Sequence, residues 1–127
     1  MMLPRFAMFT AAILLVGCGA SGHFVALPED LDTLSVRRET VAMSAEHFRF
    51  IPEDVHVKAG TLLTIQITAT DGTHGFELAS FGIDEKLPAG ETRTIRVYLP
   101  RKGEYDFSCS HFCGIGHFGM NGKLIVE

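Results

Sequence analysis

Cys109, Cys113, His117 and Met120 fall within twelve residues near the C-terminus, in the run Cys109-Ser110-His111-Phe112-Cys113-Gly114-Ile115-Gly116-His117-Phe118-Gly119-Met120. Two thiolates, an imidazole and a thioether are soft donors, and such sulfur ligands favour copper in its cuprous form over magnesium or calcium. In an extended chain the two cysteines would stand roughly 13 Å apart, too far to share an ion. On a helix, positions 109, 113, 117 and 120 would line one face with neighbouring Cβ atoms about 5–6 Å apart. Gly114, Gly116 and Gly119 oppose that helix, each costing about 1 kcal/mol relative to Ala. A folded loop is therefore expected, its glycines letting the backbone wrap closely around a centre.

Plainer readings compete. The cysteines could form a disulfide, the commonest fate of such a pair in an exported protein. A structural zinc site would also use Cys and His. His117 and Met120 could be incidental surface and core residues. Together these weaken, because a disulfide does not require His and Met at those positions and zinc rarely recruits a thioether. A mononuclear blue-copper site, built from Cys113, His117, Met120 and an upstream His, is the nearest serious rival. It leaves Cys109 idle, whereas two copper ions bridged by both sulfurs use it.

The ligand run needs a scaffold, and the rest of the chain reads as short strands. With 127 residues and 46% hydrophobic composition it fits one compact domain. Val41, Met43, Ala45 and His47 alternate with Ala42, Ser44 and Glu46 ahead of Phe48, Phe50 and Pro52. Val55 and Val57 flank His56; Leu63, Ile65 and Ile67 alternate with Thr64, Gln66 and Thr68; Phe76 and Leu78 suggest a short strand. Leu87 to Gly90 reads as a loop, Thr94 to Leu99 alternates again, and Tyr105, Phe107 and Leu124-Ile125-Val126 complete the set. Turn residues at Lys58-Ala59-Gly60, Asp71-Gly72 and Arg101-Lys102-Gly103 separate these segments. The pattern predicts an all-β antiparallel sandwich from about residue 40 to 127.

The formal charge of −4 makes phosphate neutralisation a poor basis for function, so no nucleic-acid partner is expected. No Ser/His/Asp triad, paired acid/base carboxylates or phosphate loop is evident, so the chain is not expected to be an enzyme on its own. Met1 to Arg5 carries one positive charge, and Phe6 to Val16 is an apolar run with the layout of a secretory signal peptide. A bilayer-spanning helix needs about 20 residues, more than this run has. Leu15-Val16-Gly17-Cys18 resembles the lipobox of bacterial lipoproteins, which implies removal of residues 1–17 and lipidation of Cys18. Residues 18–39 then read as a tether, with a helical turn near Pro28, Glu29 and Asp30. The mature protein is expected to be exported and lipid-anchored, facing the periplasm or cell exterior.

The pattern Cys-x3-Cys-x3-His-x2-Met, followed by Gly122 and Leu124-Ile125-Val126, resembles the binuclear copper A (CuA) motif of cytochrome c oxidase subunit II, shared with nitrous oxide reductase. The similarity extends through Thr73-His74-Gly75-Phe76-Glu77, Leu87-Pro88-Ala89-Gly90-Glu91 and Gly103-Glu104-Tyr105, and looks closest to the short subunits of the ba3-type oxidases. The resemblance implies a cupredoxin-type antiparallel Greek-key β-sandwich. It implies two copper ions bridged by Cys109 and Cys113, with His74 and His117 binding one each. Met120 would bind one ion weakly and the backbone carbonyl of His111 the other. His23, His47 and His56 have no such motif and read as structural or surface residues.

This chain departs from the family in several places. Longer oxidase subunits commonly carry Glu where this chain has His111; a carbonyl ligand tolerates that change. The family's transmembrane hairpin or helix and its electron-entry Trp residues have no counterpart in this sequence, and Phe48 and Phe50 are expected near the place of the latter. Phe112, Ile115 and Phe118 are expected to shield the centre from water. Two function classes remain. One is an electron carrier, an oxidase subunit or tethered shuttle fed by cytochrome c or a similar donor and assembled with or serving a haem-copper oxidase subunit I. The other is a periplasmic copper-binding or delivery protein. The complete ligand set favours the carrier.

Overall fold

The computed structural model describes residues 22–24, 29, 31, 32 and 35–127. The expected signal segment, the lipidation site Cys18 and most of the tether lie outside the described residues. The helical turn expected near Pro28 does too, except for Glu29, which lies in a turn.

Among the described residues, ten strands form two five-stranded sheets. They are β1 (Gly22–Phe24), β2 (Arg37–Glu46), β3 (Arg49–Ile51), β4 (Asp54–Val57), β5 (Thr61–Ala69), β6 (His74–Leu78), β7 (Ile83–Leu87), β8 (Thr92–Leu99), β9 (Gly103–Ser108) and β10 (Asn121–Val126). One sheet has the order β1-β8-β5-β2-β3 and the other β4-β10-β9-β6-β7. The all-β sandwich stands as expected. Its sheets are mixed rather than antiparallel throughout, because β2 runs parallel to β5, β10 to β4 and β1 to β8. A parallel pair needs a crossover, and between β2 and β5 the chain makes it by passing through β4 in the opposite sheet.

Alternation decides what faces the core. Leu63, Ile65 and Ile67 of β5 and Ile95, Val97 and Leu99 of β8 all point inward and are buried. The facing sheet contributes Phe76, Leu78, Phe107, Leu124 and Val126. Phe50, Phe76 and Phe107 form an aromatic knot with ring centroids 5.2–5.8 Å apart, two of its three pairs edge-on. Edge-on pairs of this kind add about 0.5–1.5 kcal/mol beyond the area they bury. Phe107 lies two positions before Cys109, so this knot underpins the start of the ligand loop. Phe50 is thus a core residue and not part of any surface entry point.

Two elements differ from expectation. β2 begins at Arg37, ahead of the expected start at Thr40, and residues 22–24 of the expected tether pair with β8. β7 appears where no strand is expected. Its ends, Ile83 and Leu87, are buried, but Asp84, Glu85 and Lys86 between them hide the alternation. It matters for the site because Leu87 stands opposite His74 and fixes the start of β6.

The strand register gathers several strand ends at one pole. Ala45 lies opposite Ala69, Thr68 opposite Thr92, and Asn121 opposite Ser108. The turn after β2, the connection leading to His74, and the segment between β9 and β10 therefore meet there.

Candidate metal centre

The segment between β9 and β10 is a closed loop, neither helical nor extended. The backbone N–H of Cys109 donates to the Met120 carbonyl at 3.0 Å and ties the loop at its base. Inside it, His117 N–H bonds the Gly114 carbonyl at 3.1 Å, and His117–Gly119 forms one 3-10 turn. Gly114 has φ +132°, a conformation that L side chains rarely adopt. At Gly116 an added Cβ would overlap the ring of Phe48, so the turn after β2 presses directly on the loop. Gly75 is equally confined, because a Cβ there would run into the Ser110 and His111 backbone and so separate β6 from the loop.

This packing brings the expected ligands together. Cys113 Sγ is the hub, lying 3.6 Å from Cys109 Sγ, 3.7 Å from His117 Nδ1 and 3.9 Å from Met120 Sδ. The His111 carbonyl oxygen is 3.1 Å from Cys109 Sγ, while the His111 side chain is exposed. His74 arrives from the other connection, at the first position of β6, fully buried. Ligand atoms of His74, Cys109 and Cys113 all lie within 4.8 Å of one another.

Two features test whether these residues fit a metal. Cys109 and Cys113 are both free, and sulfurs 3.6 Å apart can share an ion at a thiolate–metal distance of about 2.3 Å. His74 Nδ1 is buried without a hydrogen-bond partner, whereas its Nε2 pairs with Asp71 Oδ1 at 2.8 Å. An orphaned buried nitrogen costs about 1–3 kcal/mol unless something else satisfies it, and the adjacent sulfurs leave a cation as the natural partner. Burial pushes the Cys113 thiol up to about 11, and the neighbouring Cys109 sulfur adds to that. A cation that converts the thiol to thiolate displaces its proton.

Asp71 is legible in the sequence only as a turn residue, yet it holds His74. Desolvation would raise its carboxyl, but the hydrogen bonds with His74 and the His47 backbone N–H outweigh this and hold it below its ordinary 3.8. His47, expected as a structural or surface residue, is exposed yet also contacts Asp71. His56 pairs with Glu127 at the other end of β4, away from the site.

The expectation for Phe112, Ile115 and Phe118 is corrected. They are 67%, 99% and 86% exposed and form an apolar rim outside the ligands rather than a shield over them. The rings of Phe112 and Phe118 flank His117 at centroid distances of 5.4 and 5.1 Å. Among the described residues no helix is long and apolar enough to cross a membrane.

Comparison with known proteins agrees with this fold. The chain matches the Cupredoxin-like domain family over residues 8–126 and belongs to it. Its relatives include cytochrome c oxidase subunit 2 of Thermus thermophilus, 34% identical over 88 residues, covering 69% of this chain and 65% of that protein. The chain spans only 52% of a second cytochrome c oxidase subunit 2 from the same species, again at 34% identity. Among solved structures, a chain of a heme-copper terminal oxidase dimer superposes with a TM-score of 0.68 at 26% identity, covering 76% of this chain and 69% of that one. The periplasmic domain of cytochrome oxidase subunit II of Bradyrhizobium japonicum superposes with a TM-score of 0.64, covering 69% of this chain and 83% of that domain. At 18% identity that second likeness speaks for the fold.

Proposed function

We propose that this domain holds a binuclear copper centre of the CuA type and passes single electrons from a donor such as a cytochrome c toward a haem-copper oxidase, as a subunit II-like protein or a tethered shuttle. The observation that carries the reading is the pair of free sulfurs 3.6 Å apart facing a buried imidazole whose Nδ1 has no partner. Cys109 and Cys113 would hold both ions, with His74 on one and His117 on the other. Met120 and the His111 carbonyl would be the weak outer ligands. Bound there, copper supplies one-electron oxidation and reduction.

The chain's own part is to keep the donors still. The Cys109–Met120 backbone bond closes the loop, Phe48 braces Gly116, and β6 with Asp71 fixes His74. Donors held by rigid elements need little rearrangement when charge changes. The partner's approach is set by the rim of Phe112, Ile115 and Phe118, which flanks the part-exposed His117; His74 is sealed inside. Such a rim suits an apolar contact face on an electron-transfer partner.

The reading includes processing after Gly17, an exported domain, and a membrane anchor at Cys18. Cys18 precedes Gly22 by a stretch that spans at most about 14 Å. Gly22 stands opposite Thr94, at the pole where the ligand loop lies. An anchor so close to that pole turns the metal end toward the membrane, which favours a membrane-embedded acceptor over free diffusion to a distant one.

Copper titration of the refolded, reduced domain tests the proposal. It should saturate at two ions and turn purple. Saturation at one ion with an intense blue band would replace it with the mononuclear carrier, and ready loss of copper to a chelator would favour delivery.

A further inference from the structure

We propose that His47 is a positioning residue for the ligand His74, acting through Asp71; the inference rests on the reading of His74 as a copper ligand. The three residues form a continuous chain of hydrogen bonds from surface to interior. His74 Nε2 pairs with Asp71 Oδ1 at 2.8 Å. The second carboxylate oxygen, Asp71 Oδ2, accepts the His47 backbone N–H at 2.7 Å and lies 3.0 Å from His47 Nδ1. Both oxygens of Asp71 are therefore committed, one to the ligand and one to His47.

This matters because Asp71 is part-exposed and sits in the short connection between β5 and β6, outside either sheet. A carboxylate held at one oxygen can rotate, and its grip on His74 would rotate with it. With Oδ2 held by the His47 backbone N–H and packed against His47 Nδ1, Oδ1 stays aimed at Nε2. That bond keeps the proton on Nε2 and leaves the Nδ1 lone pair for the metal.

The surroundings are shaped for His47. Gly72 gives the imidazole room, since an added Cβ there would stand 3.3 Å from His47 Cε1. The His47 ring lies edge-on to the ring of His74 at a centroid distance of 5.0 Å and edge-on to that of Phe48 at the same distance. It thus joins the two supports of the centre, the Asp71 clamp on His74 and the Phe48 brace on Gly116. No local sequence signal links His47 to position 74; only the pairing of β2 with β5 brings them together.

The test compares His47→Ala with His47→Asn, whose side-chain amide can donate from about the place of Nδ1. In the metal-free, reduced full-length protein, nitrogen NMR of His74 should show one Nε2-protonated tautomer in the wild type and in His47→Asn, and a tautomer mixture in His47→Ala. After copper loading, His47→Ala should bind copper about tenfold more weakly, the lower end of the range for lost outer-shell partners. It should also show altered copper hyperfine couplings, and His47→Asn should restore both. An unchanged tautomer and unchanged hyperfine couplings in His47→Ala would overturn the inference. The metal-free measurement reads the clamp even if the protein takes one copper or none, so this inference and the binuclear reading fail separately.

Discussion

Cys109 Sγ and Cys113 Sγ lie 3.6 Å apart with no disulfide between them, and Cys113 also sits within 4 Å of His117 Nδ1 and Met120 Sδ. Within one loop, Cys113 is therefore the shared neighbour of every other side-chain donor, while Cys109 links it to the His111 carbonyl. The two sulfurs have different surroundings, and their replacements should have different consequences.

Replacing Cys109 by Ser should leave Cys113, His117, Met120 and His74 as a set for one ion. The expected result is one copper per chain in place of two, with the metal-free domain losing only about 1 kcal/mol, because the hydroxyl keeps the His111 carbonyl as acceptor. Metal analysis paired with thermal unfolding reads both.

Gly116→Ala tests the brace. The new methyl group would meet the Phe48 ring, and overpacking of this kind costs about 1–3 kcal/mol. Copper binding should weaken alongside stability. A second change, Phe48→Ala, should recover part of the loss in a double-mutant cycle if the clash is the cause.

The Cys113 thiol sets an alkaline limit on the metal-free form. Its proton is retained in the fold up to about 11, against 9.0 in the unfolded chain. The stability it contributes is fully present below pH 9.0 and is lost as pH rises through about 11, because only the unfolded chain gives up the proton over that window. Unfolding of the reduced, metal-free domain at a series of alkaline pH values should show this decline, and Cys113→Ser should remove that part of it. Copper addition at neutral pH should release protons, measurable in weakly buffered solution.

The apolar rim predicts how a partner binds. No Asp, Glu, Lys or Arg occurs between Cys109 and Met120. Ile115→Ser, at a position 99% exposed, should leave the copper spectrum unchanged and slow electron uptake from a cytochrome c donor by roughly tenfold, as expected for loss of a central apolar contact. The rate should depend only weakly on ionic strength. A steep salt dependence with no effect of Ile115→Ser would move the contact elsewhere.

The central strands are legible in the sequence because their inward residues are aliphatic and alternate strictly, as in Leu63, Ile65 and Ile67. β7 is not, since its middle is Asp84-Glu85-Lys86 and only its ends face the core. The mixed strand directions also leave no trace in the alternation, which is the same for parallel and antiparallel partners. At the site, the candidate ligands within one loop can be read from their spacing, and His74 only through its resemblance to a known motif. Asp71 and His47 are invisible as site residues because their roles depend on the turn after β2 meeting the connection after β5. The rim of Phe112, Ile115 and Phe118 departs from expectation because apolar residues beside a metal suggest a shield, and their exposure depends on which way the closed loop turns them.

The most direct test of the copper pair is electron paramagnetic resonance, with metal analysis, on copper-loaded protein carrying one unpaired electron per chain. Two coppers per chain, with hyperfine splitting from two equivalent nuclei, is the predicted result. Splitting from a single nucleus at one copper per chain would contradict it.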